Sequence, residues 1–313
     1  MLIFMLRRVL SGALLIAVIS FLVFALLYVN SGDIARTILG ETATEETVAK
    51  KTAELGLDRP LLVQYGDWLS SAIVGDLGRS WYSSQPITIG LSSRIGVTLS
   101  LVIGTVLVST IISVVLGVVA ARRGGAVDGA IQLLTLLGLA IPGFVIALYL
   151  VLLFAVQLGW FRATGFTPLT TSLAGWASSV TLPIAALSTT VIATVAQQVR
   201  GAVVDALAKD YVRTLRSRGL PETSVVYKHV LRNAGGPALA VLAVQFVGLL
   251  GGAVIVEQIF SVPGLGQLAV QATTQGDIPS VMGVVIVFAI LVIIANILVD
   301  LGQAALNPKV RLR

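Results

Sequence analysis

Six uncharged runs, each long enough to cross a bilayer, leave few folds open to this chain. They are Val9 to Val29, Ile95 to Ala121, Gly129 to about Leu158, about Trp176 to Val199, about Pro237 to Val256, and Ile278 to Val299. A helix rises about 1.5 Å per residue, so roughly 20 apolar residues cover about 30 Å of hydrocarbon. Inside that layer every backbone N–H and C=O must find a partner in the protein itself, which leaves helices or a closed barrel. No run alternates with the period of two that a membrane barrel needs, so all six are read as transmembrane helices. Composition agrees: 12% of residues are charged, against about a quarter in a soluble domain.

The first run follows Arg7 and Arg8 and has 21 uncharged residues. A cleaved secretory signal has an apolar core of roughly 7 to 15, so residues 1–30 are read as an uncleaved anchor. Basic residues near span ends favour the cytoplasmic side. Arg7, Arg8, Arg122, Arg123, seven in 197–234, and Lys309, Arg311 and Arg313 account for 14 of the 21 Lys and Arg, all on one side. The other side holds ten of the fifteen acids: Asp33, Glu41, Glu45, Glu46, Glu54, Asp58, Asp67, Asp76, Glu257 and Asp277. Both termini, including a tail at 301–313, are therefore expected in the cytoplasm, and residues 31–94 outside it.

That outer insertion has normal polarity and is too short for an independent enzyme, so a small helical cap is expected. Thr42 with Glu45 fits a capping box opening a helix that stops at Gly56. Asp58-Arg59-Pro60 makes a turn. Leu61, Leu62, Tyr65, Trp68 and Leu69 form the apolar face of a second helix ended by Gly75-Asp76-Leu77-Gly78, and an extended approach through Ser80 to Ile87 follows. Trp81, Tyr82, Trp160, Phe161 and Trp176 flank spans on the outer side, where amphipathic rings favour the interface. Residues 95–300 hold the remaining five helices. Pro142-Gly143, Pro183 and Gly248 with Gly251-Gly252 punctuate them, either for close packing or as hinges.

No charge falls in the middle of a run, so the chain has no intramembrane proton relay and a proton-coupled carrier is disfavoured. It has no glycine loop ending in Lys-Ser or Lys-Thr to cradle a nucleotide phosphate. Gly264-Leu265-Gly266-Gln267-Leu268-Ala269 matches a dinucleotide fingerprint by letters alone, between membrane spans instead of in a βαβ unit. There is no cysteine and one histidine, so neither a thiolate metal site nor a histidine cluster is available. No catalytic constellation appears, and no catalytic, metal or cofactor residue is assigned. The net charge of +6 needs no nucleic acid, because topology explains the same arginines.

The one long polar stretch on the basic side is 197–234. Lys209, Arg213 and Arg216 recur at i, i+4 and i+7 on one helical face, with Tyr211 and Leu215 on another. Gly219, Leu220 and Pro221 break this helix, glycine for a left-handed turn and proline for the start of the next. Val225, Val226, His229 and Val230 then fall at i, i+4 spacing as the apolar residues of that next helix.

This loop resembles the coupling loop of permeases of binding-protein-dependent ABC importers, in the dipeptide, oligopeptide and nickel group. The family pattern is Glu-Ala-Ala, three residues, Gly, nine residues and Ile-x-Leu-Pro. The chain reads DYVRTLRSRGLPETSVVYKHVLRNA from Asp210 to Ala234, with Gly219 and Leu231 in place. Arg213-Thr214-Leu215 replaces the acidic-alanine triplet, His229 the isoleucine and Arg232 the proline. LGLDRPLLVQY from Leu55, GDLGRSW from Gly75, QPI from Gln85, EQIFSVPGLG from Glu257, and LVD with NPKVR near the end are similar to the peptide branch, so the resemblance runs over nearly the whole length.

The resemblance implies an all-α integral membrane protein of type I ABC importer permease fold. It implies six transmembrane helices and a small helical extracytoplasmic insertion between the first and second. It implies a second homologous permease, most simply as a heterodimer, two cytoplasmic ATPases carrying ATP and Mg, and an outer binding protein. Within a loop at 208–232, Asp210 and Tyr211 would cap and seat the helix, and Arg213, Arg216 and Arg218 would meet acidic residues of an ATPase. Thr214, Leu220 and Pro221 complete that surface, and Gly219 allows the close turn. Solvated positive-inside charge is the plainer reading of each arginine alone. Glu257, Phe260, Pro263, Gly264 and Gly266 would face an outer vestibule as a re-entrant gate, or form a simple turn. The implied cargo is a peptide. Nickel, glutathione or haem through the same architecture is the nearest alternative, and a stand-alone ion-coupled carrier or channel the more distant one.

Overall fold

The computed structural model describes residues 2–29, 34–40 and 42–306, without the side chains of 2–7, 9 and 306. Asp33, Glu41, Lys309, Arg311, Arg313 and the NPKVR ending lie outside the described residues, as does the side chain of Arg7. The described chain is helical apart from turns, loops and one isolated antiparallel bridge between Arg79 and Pro86. Its helices are α1 Leu2–Val29, α2 Ile34–Leu39, α3 Glu45–Glu54, α4 Leu61–Ile73, α5 Ile87–Arg123, α6 Gly125–Ala140, α7 Gly143–Leu150, α8 Leu173–Leu207, α9 Asp210–Ser217, α10 Glu222–Ser224, α11 Leu231–Ile259, α12 Leu265–Thr274 and α13 Ile278–Leu306. Val151–Gln157 and Val225–Val230 are π-helical continuations of α7 and α10.

Five stretches are long and apolar enough to cross a membrane: Leu10–Val29, Ile87–Arg123, Leu173–Leu207, Glu222–Ile259 and Ile278–Ala305. The sixth is a broken span, α6 followed by Gly143–Gln157, turned by 93°. Proline is the cause. Pro142 disfavours a helical residue before it, and Ile141 sits in extended backbone at φ −92°, ψ 120°.

The chain divides into two compact units, Met1–Thr98 with Val262–Ile293, and Leu99–Ser261 with Ile294–Arg313. In the first, Phe24, Ile34, Leu57, Ile278 and Met282 form a buried core with Tyr65, Trp68 and Trp81 packed on it. Tyr65 stands edge-on to Phe21 and Phe24, at 5.3 and 5.6 Å between ring centres. Its hydroxyl donates to the Ala17 carbonyl at 3.1 Å and pairs with the Ser20 hydroxyl at 2.9 Å. The insertion is thus not a cap above the anchor: α4 lies along the middle of α1. A second cluster joins Ile87, Leu91, Leu265 and Val284.

Two local expectations are corrected. The cap of α3 is Thr44, not Thr42, its hydroxyl accepting from the Thr47 N–H. The approach to α5 is a tight turn, with Ser80 N–H donating to the Gln85 carbonyl and Ser84 at φ +58°. The helix after the 208–232 loop, α11, runs unbroken through Pro237.

In the second unit α8 is the central helix, buried along most of its length. Two glycines bring α5 against it. A Cβ on Gly104 would collide with Ile184, and one on Gly117 would lie 2.7 Å from Val199. Arg200 of α8 holds Asp128 of α6 through two bonds of 2.5 Å, Nε to Oδ1 and Nη2 to Oδ2.

Candidate functional site

Only Ala208 and Lys209 separate the end of α8 from α9. Lys209 takes the cap position in extended backbone without a side-chain cap, so Asp210 does not cap the helix. Asp210 is its first residue, with a fully exposed carboxylate 3.9 Å from Arg213, while Thr214 Oγ1 donates back to the Asp210 carbonyl. Val212 is completely buried, as are Val225, Val226 and Val230 of the π-helical turn against which α9 packs, and His229 is half-buried. Tyr211 is half-buried, and the Asn233 side-chain amide donates to its hydroxyl at 3.2 Å and to the His229 carbonyl at 3.0 Å.

The end of α9 shows why glycine stands at 219. Gly219 N–H donates to the Arg216 carbonyl and Leu220 N–H to the Leu215 carbonyl, the paired bonds of a Schellman cap. That cap requires a left-handed residue, and Gly219 has φ +76°. A Cβ there would meet nothing within 4 Å, so inside this chain the demand is on backbone conformation, not space. Pro221 then occupies the cap of α10.

Across this turn Arg216 and Glu222 form a two-pronged pair, which raises the guanidinium pKa further above its usual value. The arginines therefore differ. Arg216 is tied within the loop. Arg213 is 81% exposed, and Arg218 is exposed with no ion pair or side-chain hydrogen bond among the described residues. Glu222 and Asn233 were not picked out from sequence, since neither belongs to a pattern; each acts through a partner 6 or 22 positions away.

The expected gate is a tight turn. Glu257 and Phe260 are fully buried, so Glu257 does not open onto water in this chain. The Phe260 carbonyl accepts from Gly165 N–H at 2.9 Å, Ser261 takes φ +48°, and Gly264 N–H closes on the Val262 carbonyl at 2.8 Å. Gly264 caps α12, Gly266 is buried in its first turn, and Pro263 alone of the five is exposed. The non-helical stretch is thus short, from Phe260 to Gly264. The glycines are used to start a regular helix.

Residues 113–312 match the family described as "Binding-protein-dependent transport system inner membrane component", and residues 1–102 match the N-terminal region of such components. The chain belongs to this family. Among relatives of the permease, the "Probable peptide ABC transporter permease protein y4tP" of Sinorhizobium fredii is 36% identical over 310 residues, covering 99% of both chains. The "Glutathione transport system permease protein GsiC" of Shigella flexneri is 34% identical over 312 residues with the same coverage.

Solved relatives fix the fold. A chain of the MetNI methionine ABC transporter aligns with a TM-score of 0.58 at 18% identity, over 72% of this permease and 99% of its own length. A chain of an amino acid ABC transporter aligns at 0.53 and 17%, over 70% and 94%. The all-helical permease has the type I ABC importer fold. Within that family, hydrolysis belongs to partner subunits.

Proposed function

We propose that this permease forms half of the path by which an ATP-driven importer moves di- and oligopeptides across the cytoplasmic membrane. Its similarity to a named peptide permease over 99% of both chains supports the cargo. The observation that carries the coupling role is α9 itself. It is anchored by Val212 and Tyr211, stopped by a rigid Schellman turn, and it presents Arg213 and Arg218 outward. In this reading those arginines meet acidic residues of a cytoplasmic ATPase, and Thr214, Leu220 and Pro221 border the contact. ATP-driven closure of two ATPases draws the coupling helices together and reorients the helices. Hydrolysis and its ATP and Mg reside on the ATPases.

A second homologous permease completes the path, and an outer binding protein delivers the peptide. Both termini and the 208–232 loop face the cytoplasm, residues 31–94 face outward, and the turn from Glu257 to Gly266 borders the outer mouth with Gln258, Ser261 and Pro263 exposed. Glutathione, itself a tripeptide, is the second reading, favoured by the 34% identity to GsiC.

The test is uptake by the assembled importer in vesicles, with ATP supplied on the ATPase side. Uptake of a labelled tripeptide should need ATP and be competed by other peptides more strongly than by glutathione. Uptake that persists without ATP, driven by an ion gradient, defeats the proposal.

A further inference from the structure

The turn at 79–86, the first turns of α5 and one face of α12 enclose a cavity of about 300 Å³ within the first unit. Its frame is fixed. Asp277, 3% exposed, accepts from Ser80 Oγ at 2.5 Å, Trp81 N–H at 3.0 Å and Ser280 Oγ at 2.7 Å, stapling the turn to the start of α13. Ile87, Leu91 and Leu265 pack together in one buried cluster of the same unit.

Ile87, Gly90 and Arg94 follow one another along one face of α5, and Leu268 and Gln271 along one face of α12, with Gln275 at its C-terminal cap. Arg94 is half-buried. Its Nη1 is buried without a hydrogen-bond partner, and no carboxylate forms an ion pair with it among the described residues. The cavity's own acid, Asp277, is engaged by Ser80, Trp81 and Ser280 and forms no ion pair with Arg94 among the described residues. The side-chain amides of Gln271 and Gln275 also make no hydrogen bond among the described residues. A cation partly withdrawn from water and lacking an anion is costly, and a carboxylate is the group whose geometry fits a guanidinium. The cavity lies at the lower limit of small-ligand pockets, about 300–1,000 Å³, enough for a side chain and too little to enclose a peptide of several residues.

We propose that this cavity is a carboxylate-binding site that receives an acidic side chain of the outer binding protein. Arg94 is the charge partner, and the amides of Gln271 and Gln275 take the adjoining main-chain groups. The site rests on the outward orientation given under the proposed function.

The experiment uses the assembled importer in discs of neutral phosphatidylcholine, without ATP or peptide, and measures docking of its binding protein. Affinity should fall as salt rises. R94Q and R94E should weaken docking by about tenfold and flatten the salt dependence, while R94K retains most of it. Millimolar N-acetylglutamate should compete with docking to the native permease and not to R94Q. Replacing part of the lipid with phosphatidylglycerol should change nothing. Equal docking by native protein and R94E overturns the site, as does displacement of the binding protein by phosphatidylglycerol, which would assign the cavity to lipid phosphate. Intact Arg94-dependent docking with failed peptide uptake would instead defeat only the cargo reading, and a native assembly that docks no binding protein defeats both.

Discussion

Arg216 and Glu222 clamp the two sides of the Gly219 turn, joined by parallel hydrogen bonds of 3.1 Å from Nε and 2.7 Å from Nη2. Both side chains are nearly half exposed, so the pair adds at most about 1 kcal/mol to stability. Its value is geometric: it fixes the angle at which the chain leaves α9. It also takes Arg216 out of the set of arginines available to a partner.

Charge reversal should separate these roles. R213E with R218E should loosen ATPase attachment, with the native contact weakening steeply as ionic strength rises, because exposed pairs are screened beyond about 10 Å at 0.1 M salt. R216E should leave attachment largely intact and lower ATPase stimulation by misorienting the turn. Co-purification over a salt series, with hydrolysis measured on the same samples, checks both. Equal loss of attachment in the two variants would contradict the division.

Gly219 offers a graded test. Asparagine tolerates the left-handed region, so G219N should retain most stimulated hydrolysis, whereas G219V should lose it at a cost of roughly 1–2 kcal/mol to the local turn. G219R should abolish stimulation while membrane insertion stays intact. Since a side chain there meets open space in this chain, any steric block must come from the docked partner, and G219R should show a larger defect in the assembly than in the isolated permease.

Asp277 holds a buried network, and removing its carboxylate orphans the Trp81 N–H and the hydroxyls of Ser80 and Ser280. D277A should destabilise the permease by about 3 kcal/mol, read as a lower thermal midpoint. D277N should cost less, because an amide oxygen still accepts. A midpoint unchanged in D277A would show that the turn at 79–86 is held by something else.

Pro142→Ala removes the clash that keeps Ile141 extended. Spin labels at the exposed positions Leu134 and Tyr149 should move apart, toward the spacing of a straight helix, about 22 Å along the axis. An unchanged label distance would place the cause of the 93° bend in packing against α8 instead.

The six spans were readable because an uncharged run is a property of consecutive residues. Their limits were not, since helices α5 and α11 continue into polar sequence that carries no apolar signal. Pro142 was read as serving close packing or a hinge, and neither reading gave the 93° angle, which depends on neighbours. The turn after α9 was legible from Gly219 and Pro221, whose conformational preferences are local. Tyr211 was expected to seat the helix, yet its holder Asn233 was invisible, as were Glu222 and Asp277. The staple of Asp277 to Ser80 spans 197 positions, and a single sequence holds no trace of such a pairing. Glu257 was misread because a charge at the end of an apolar run suggests water, while the fold buries it.

Two residues, Ala208 and Lys209, are all the chain that lies between the long central helix and the helix proposed to meet an ATPase. A joint so short has no slack. Displacement of α9 must be handed to α8 almost undiminished, and α8 is keyed to α5 by glycines and to α6 by the Arg200–Asp128 bond. Under the proposed coupling, inserting a few flexible residues at that joint should leave every surface intact, yet let ATP be hydrolysed without moving α8.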